Sequence, residues 1–160
     1  MKKVLSVLFF FFLTINTGCN KDSSLGVQPE EIENDLLITS IQVEVSEFNN
    51  ISGLLAIAVF DNSSSFESKN EPYRDSTLAV AHSEMTIVIE NINPGNYAIS
   101  VFHDEDSNNE LNANIFGIPQ EGFGFSNNPS IGFSAPTYDE CEFTIEEGVN
   151  LSIPIELIHM

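Results

Sequence analysis

The chain has 160 residues, 24 of them acidic and only five basic, for a formal charge of −19. A surface of that sign repels phosphate backbones and anionic headgroups, which excludes nucleic-acid binding and direct adsorption to an anionic membrane. No C-x-x-C, zinc signature, phosphate loop or nucleophile elbow occurs, so the common catalytic motifs are missing as well.

Lys2 and Lys3 precede an apolar run from Val4 to Ile15. As a helix, twelve residues would reach roughly 18 Å, against about 30 Å of bilayer hydrocarbon, so the run suits a signal peptide over 1–18 and not a membrane span. Asn16-Thr17-Gly18-Cys19 then resembles a bacterial lipobox, with Asn16 where leucine is usual. It implies cleavage before Cys19, a lipid on its thiol, and an exported chain held at the outer membrane or cell surface by that lipid. Residues 19–36 are polar and acidic, as expected of a flexible tether, and 37–160 are long enough for one domain with a sizeable core.

Within that domain the recurring signal is alternation. Ile41, Val43 and Val45 alternate with Gln42, Glu44 and Ser46, a half-buried strand. Leu54 to Phe60 is apolar throughout and stops at Asp61-Asn62-Ser63, as a central strand ending in a turn would. Leu78 to His82 and then Met85, Ile87 and Ile89 predict two short strands or one bent one. Asn93-Pro94-Gly95-Asn96 is a turn, followed by alternation of Tyr97, Ile99 and Val101, with His103 in the same register. Later strands are expected at Glu140 to Ile145 and Leu151 to Ile158, with the turn Glu146-Glu147-Gly148 between them. Cys141 alternates with Phe143 and Ile145, which predicts a small apolar residue on a buried strand face, and Glu140 and Glu142 disfavour a reactive thiolate. Many short strands and no long helical period beyond the leader predict an all-β fold, an antiparallel β-sandwich.

Residues 103–128 read HDEDSNNELNANIFGIPQEGFGFSNN, too long and too particular for a plain hairpin connection. Gly53 to Phe60, Pro94 to Asp104 and Phe116 to Asn127 carry patterns "G-x-L-x-V-x-V-F", "PG-x-YA-x-x-x-FHD" and "FGIP-x-EG-x-GFSN". In these the chain resembles the uncharacterised bacterial family of domain of unknown function 2141 over roughly residues 40–158. The Pro94–Ile99 segment is also similar to the "PG-x-Y" hairpin of sandwich domains related to transthyretin and the carboxypeptidase regulatory domain. The resemblance implies an exported sandwich-like domain and lends no activity.

The loop's own chemistry points to a hard cation. Asp104, Asp106 and Asn108 stand at alternate positions, followed by Glu110 and Asn112, so their oxygens can converge as in D-x-D-x-N calcium loops. Asn109 and Ile115 occupy the places where an EF-hand needs Gly and Glu, so this is not that motif. The family pattern carries "NG" and "LD" where Asn109-Glu110 and Leu111-Asn112 stand, one carboxylate fewer here. Without a cation, the same side chains would form Asx-turns on their own backbone. His103 is read as a neutral imidazole bonded to a backbone carbonyl. Phe116, Phe123 and Phe125, set among glycines, either pack the loop down or form a shelf for a glycan or peptide ligand.

Together these features predict a non-enzymatic binding or structural module of the cell envelope, with a calcium-ordered loop. The alternative is a hydrolytic enzyme using His103 and Asp104, with Glu121, as acid–base groups.

Overall fold

The computed structural model describes residues 38–132 and 134–160. The expected leader over 1–18, the lipidation site Cys19 and the tether over 19–36 lie outside them. The described residues fall in one unit.

Strands β1 (Ser40–Ser46), β4 (Met85–Glu90) and β8 (Asn150–Glu156) form one sheet in the order β4-β1-β8. Strands β2 (Leu54–Phe60), β3 (Arg74–Ala79), β5 (Gly95–Asp104) and β6 (Phe123–Phe125) form the other, in the order β3-β2-β5-β6, with β7 (Phe143–Ile145) also on β5. Ile41, Val43 and Val45 from β1, Leu55, Ile57 and Val59 from β2, Ile99 and Val101 from β5, and Ile153 and Ile155 from β8 meet in one core. These are the alternate positions of each strand, so period-2 patterning places one apolar row between two sheets. The fold is therefore the expected all-β sandwich.

Four particulars differ from the sequence reading. The sheets are not wholly antiparallel: β1 runs parallel to β8, Ser40 opposite Asn150 through Ser46 opposite Glu156. The third strand begins earlier than Leu78, at Arg74, because an edge strand can carry the polar run Asp75-Ser76-Thr77. The turn at Asn93–Asn96 closes no hairpin; it carries the chain from β4 in one sheet to β5 in the other, and the buried Tyr97 hydroxyl fastens it by donating to the Asn93 carbonyl at 2.9 Å. Finally, Cys141 is buried but not on a strand. It ends a short helix, α2 (Tyr138–Cys141), and only Phe143–Ile145 are extended. The Glu140 carboxylate accepts from both the Thr137 N–H (2.7 Å) and its hydroxyl (2.9 Å), which starts a helical turn and overrides the local alternation.

A second apolar cluster covers the other face of the larger sheet. Helix α1 (Ser63–Ser68), capped by the Asn62 side chain on the Ser65 N–H, drops Phe66 onto Phe60, Phe125 and Tyr138, edge to face at 5.4–6.1 Å. Sandwiched this way, β2 is covered on both faces toward its end, at Ala58 and Phe60, while Leu54 and Ala56 on its outer face are half-buried.

Strand β5 delivers the functional loop. It pairs with β2 through Asp104, and with β6 from Ser100 to Phe102, so residues 105–122 link two neighbouring antiparallel strands as one long hairpin excursion. Gly53 makes room for its start. Its φ is +75°, and a Cβ there would fall against the Asp104 carbonyl and Glu105. Gly122 and Gly124 serve closeness and not turning, since a Cβ on Gly124 would sit 2.6 Å from Ile155 and one on Gly122 2.5 Å from His159. Gly53→Ala is expected to cost at least about 2 kcal/mol in urea denaturation, from left-handed strain plus collision; an unchanged midpoint would contradict this placement.

Candidate metal centre

Asp104 ends β5 with its side chain 1% exposed. Its two oxygens accept from successive backbone N–H groups, Oδ1 from Asn108 at 3.0 Å and Oδ2 from Asn109 at 2.8 Å. Asp106, exposed, accepts from the Asn108 N–H at 3.2 Å, and its Oδ2 from the side-chain amides of Asn108 (3.1 Å) and Asn112 (3.0 Å). Ser107 and Asn109 are left-handed, at φ of 60° and 64°, which winds the loop tightly around these carboxylates.

Glu121 closes the arrangement from the far end of the loop. It is 5% exposed, and its carboxylate bridges two strands of the excursion, Oε1 accepting from the Glu105 N–H at 2.9 Å and Oε2 from the Asn112 N–H at 2.8 Å. One oxygen each from Asp104, Asp106 and Glu121 lie within 4.8 Å of one another. At an effective dielectric of about 20, two unit charges 4.8 Å apart repel by roughly 3.5 kcal/mol. Backbone and amide N–H groups answer part of that charge; no lysine or arginine among the described residues forms an ion pair here. Three carboxylates of this kind, two of them buried, are suited to hold a hard divalent cation.

The structure thus brings together only part of the predicted ligand set. Asp104 and Asp106 converge as expected, while Asn108 and Asn112 pack around them with amide nitrogens toward Asp106. Glu110 stands outside the group, its backbone N–H bonding Asn108 Oδ1 at 2.7 Å. Glu121 takes the place of the third carboxylate, although its sequence context suggested only an acid–base role. The signal that could have found it is the "EG" of the Phe116–Asn127 pattern, a charged residue fixed beside a buried glycine.

His103 is fully buried, and its Nε2 donates to the Ser52 carbonyl at 2.6 Å. That is the backbone-bonded imidazole expected from sequence. Its Nδ1 has no hydrogen-bond partner and lies 3.9 Å from Glu105 Oε1. Neither His82 nor His159 joins the carboxylate group. Phe116, Phe123 and Phe125 line a single cleft of about 610 Å³ alongside the loop, with Phe123 buried, Phe125 half-buried and Phe116 81% exposed.

Residues 43–152 match the family model described as "Uncharacterized protein conserved in bacteria (DUF2141)". The chain belongs to this family. No curated protein and no solved structure matched it. The DUF2141 match starts inside β1 and ends inside β8, so the matched region contains most of both sheets, the carboxylate group and the aromatic cleft apart from Met160. Each of the three motifs noted in the sequence lies within it.

The remaining thiol is shielded. Burial, and then the nearby Glu140 charge, push Cys141 from its ordinary value of 9.0 up to about 12, and burial likewise raises Tyr138 to about 12. Because the folded value lies above the unfolded one, the protonated thiol favours the native state fully below 9.0, and that contribution is lost as pH climbs toward about 12. Native protein should therefore leave Cys141 unlabelled by a thiol reagent at about pH 8 and react fully only once unfolded, with stability declining in alkali. Rapid labelling of the folded DUF2141 domain would contradict the assigned burial.

Proposed function

We propose that this protein is an exported, lipid-anchored and non-enzymatic binding module of the bacterial cell envelope, whose long β5–β6 excursion is ordered by calcium. The observation that carries the reading is the convergence of Asp104, Asp106 and Glu121 without a counter-charge among the described residues. Calcium suits the group better than magnesium, because it takes more oxygen ligands in looser geometry. Asn108 and Asn112 would add theirs by turning their amide oxygens toward the ion.

A cation there would tie the two ends of the excursion. Asp104 and Asp106 belong to its start, Glu121 to its finish, and Asn112 hangs from Glu121 by its N–H. One wall of the aromatic cleft, Leu111 and Phe116 to Pro119, is carried between those ends, so cation binding would bear on ligand binding through that wall. The address rests on the leader and on Cys19, with the outer membrane or cell surface as destination. Acidic surface keeps the domain off anionic headgroups, so attachment falls to the lipid.

Burial weighs against the hydrolytic alternative. His103 is sealed from solvent with Nε2 bonded to the Ser52 carbonyl, and Asp104 is 1% exposed, so burial keeps both from the surface where a substrate would arrive.

Extracellular calcium modules bind with Kd of about 0.1–1 mM, so about 1 mM calcium should stabilise the domain by about 0.4–1.4 kcal/mol. Melting temperature should rise by a few degrees with calcium, less with magnesium, and not at all in an Asp104→Asn/Asp106→Asn double variant that still folds. A response identical in both proteins would remove the cation from the reading. For the anchor, metabolic palmitate labelling should disappear in Cys19→Ala, and its persistence would rule that anchor out.

A further inference from the structure

The aromatic cleft has a charge character opposite to that of the rest of the chain. Its walls come from Leu111, the turn carrying Phe116 and Ile118, strand β6 through Phe123 and Phe125, and the segment around Ile131 and Ala135. None of the described residues lining it is acidic, in a chain with 24 Asp and Glu residues, and one of them is Lys69. Lys69 and Arg74 are the two Lys or Arg residues among those described. Arg74 is committed to the Glu90 and Asn91 carbonyls at 2.6 Å, whereas Lys69 forms no ion pair among the described residues.

The backbone of Lys69 is also fixed in place. It terminates α1 in the left-handed conformation, φ 56°, with its N–H donating to the Phe66 carbonyl at 3.2 Å, and Phe66 in turn packs on Phe125 in the cleft wall. Opposite it, the turn at 113–119 is held rigidly while its apolar side chains face water. Asn114 Oδ1 accepts from the Phe116 and Ile118 N–H groups (2.9 and 3.1 Å), and Asn114 N–H donates to the Ile118 carbonyl at 2.9 Å. Yet Ile115 is 93% exposed and Phe116 81% exposed. An ordered backbone that holds large apolar groups in solvent gains nothing from their burial within the chain, and such patches mark ligand or partner sites.

We infer that this cleft binds a single-chain anionic amphiphile, its alkyl body lying against Phe116, Ile118, Phe123 and Phe125 and its carboxylate paired with Lys69. A volume of about 610 Å³ is within the ordinary range for small-ligand sites, and apolar walls with one placed charge are their usual make-up. A sugar fits less well, since its hydroxyls need many polar partners and the cleft offers few. This names a ligand class for the module proposed above, but it rests on the cleft itself and not on the cation.

The test uses the mature chain in EDTA and again in about 1 mM calcium, so that absence of binding means absence in both and is distinguished from a need for the ordered loop. Calorimetric titration with dodecanoate below its micelle concentration should show saturable one-site binding, weaker for dodecyl maltoside and weakest for dodecyltrimethylammonium. Lys69→Asn, a residue tolerant of the left-handed conformation, should weaken dodecanoate by about three- to fivefold and leave dodecyl maltoside unchanged. Phe116→Ala, at an exposed position where folding is spared, should weaken both by about tenfold. Melting temperature of each variant serves as the folding control. Absence of dodecanoate binding overturns the proposal, as does equal binding of the charged and uncharged amphiphiles by a protein indifferent to Lys69→Asn. Neither result would bear on the calcium response of Asp104 and Asp106.

Discussion

Glu121 reaches back across the β5–β6 excursion and takes the N–H groups of Glu105 and Asn112 on its two oxygens. Those bonds hold the loop's ends together, but they also bring a third negative charge within 4.8 Å of Asp104 and Asp106. A buried carboxylate is tolerated when backbone N–H groups meet its lone pairs, and here each of the three is met in that way. What such donors do not remove is the mutual repulsion, and that residue of unbalanced charge is what makes a divalent cation the natural complement. The rest of the loop follows from this compromise, including its left-handed turns and its inward-facing amides.

The scaffold explains why the compromise can stand. Strand β5 is anchored on β2, β6 and β7, and its apolar row from Tyr97 to Val101 is locked in the core. Asp104 is therefore positioned by the sheet and not by the loop. On the return path, Ser126 extends the pairing: its N–H donates to the Ile99 carbonyl at 3.0 Å, and its hydroxyl both accepts from the Ile99 N–H at 2.9 Å and donates to the Cys141 carbonyl at 2.5 Å. Next to it, Asn128 pairs with the edge of β8 as a short strand would, its side chain bonding the Pro154 carbonyl at 3.1 Å and the Glu156 N–H at 2.9 Å. The "GFSN" tail of the motif is thus a clamp for the far end of the excursion.

Side-chain alternation made much of this architecture readable beforehand. Val43 and Val45 declare the inner face of β1, and the unbroken apolar run of β2 declares a central strand, whose outer face is covered at Ala58 and Phe60. Alternation says which face is buried but not which strand lies alongside, so the parallel pairing of β1 with β8 had no local signature. Near Cys141 two signals competed, and the capping contact of Glu140 with Thr137 won over a three-residue alternation. For the loop, D-x-D-x-N spacing found Asp104 and Asp106 because local geometry brings them together. Glu121 converges only through the fold, whereas the spacing alone points to Glu110, nearer in sequence. The aromatic trio was legible as a group, whereas its pairing with Lys69 depends on where α1 ends.

Calcium affinity measured by titration calorimetry on two single variants tests the central claim most directly. If Glu121 completes the carboxylate group, Glu121→Gln should abolish or greatly weaken calcium binding while Glu110→Gln leaves it close to that of the unaltered protein. The reverse pattern, with Glu110 required and Glu121 dispensable, would contradict the account.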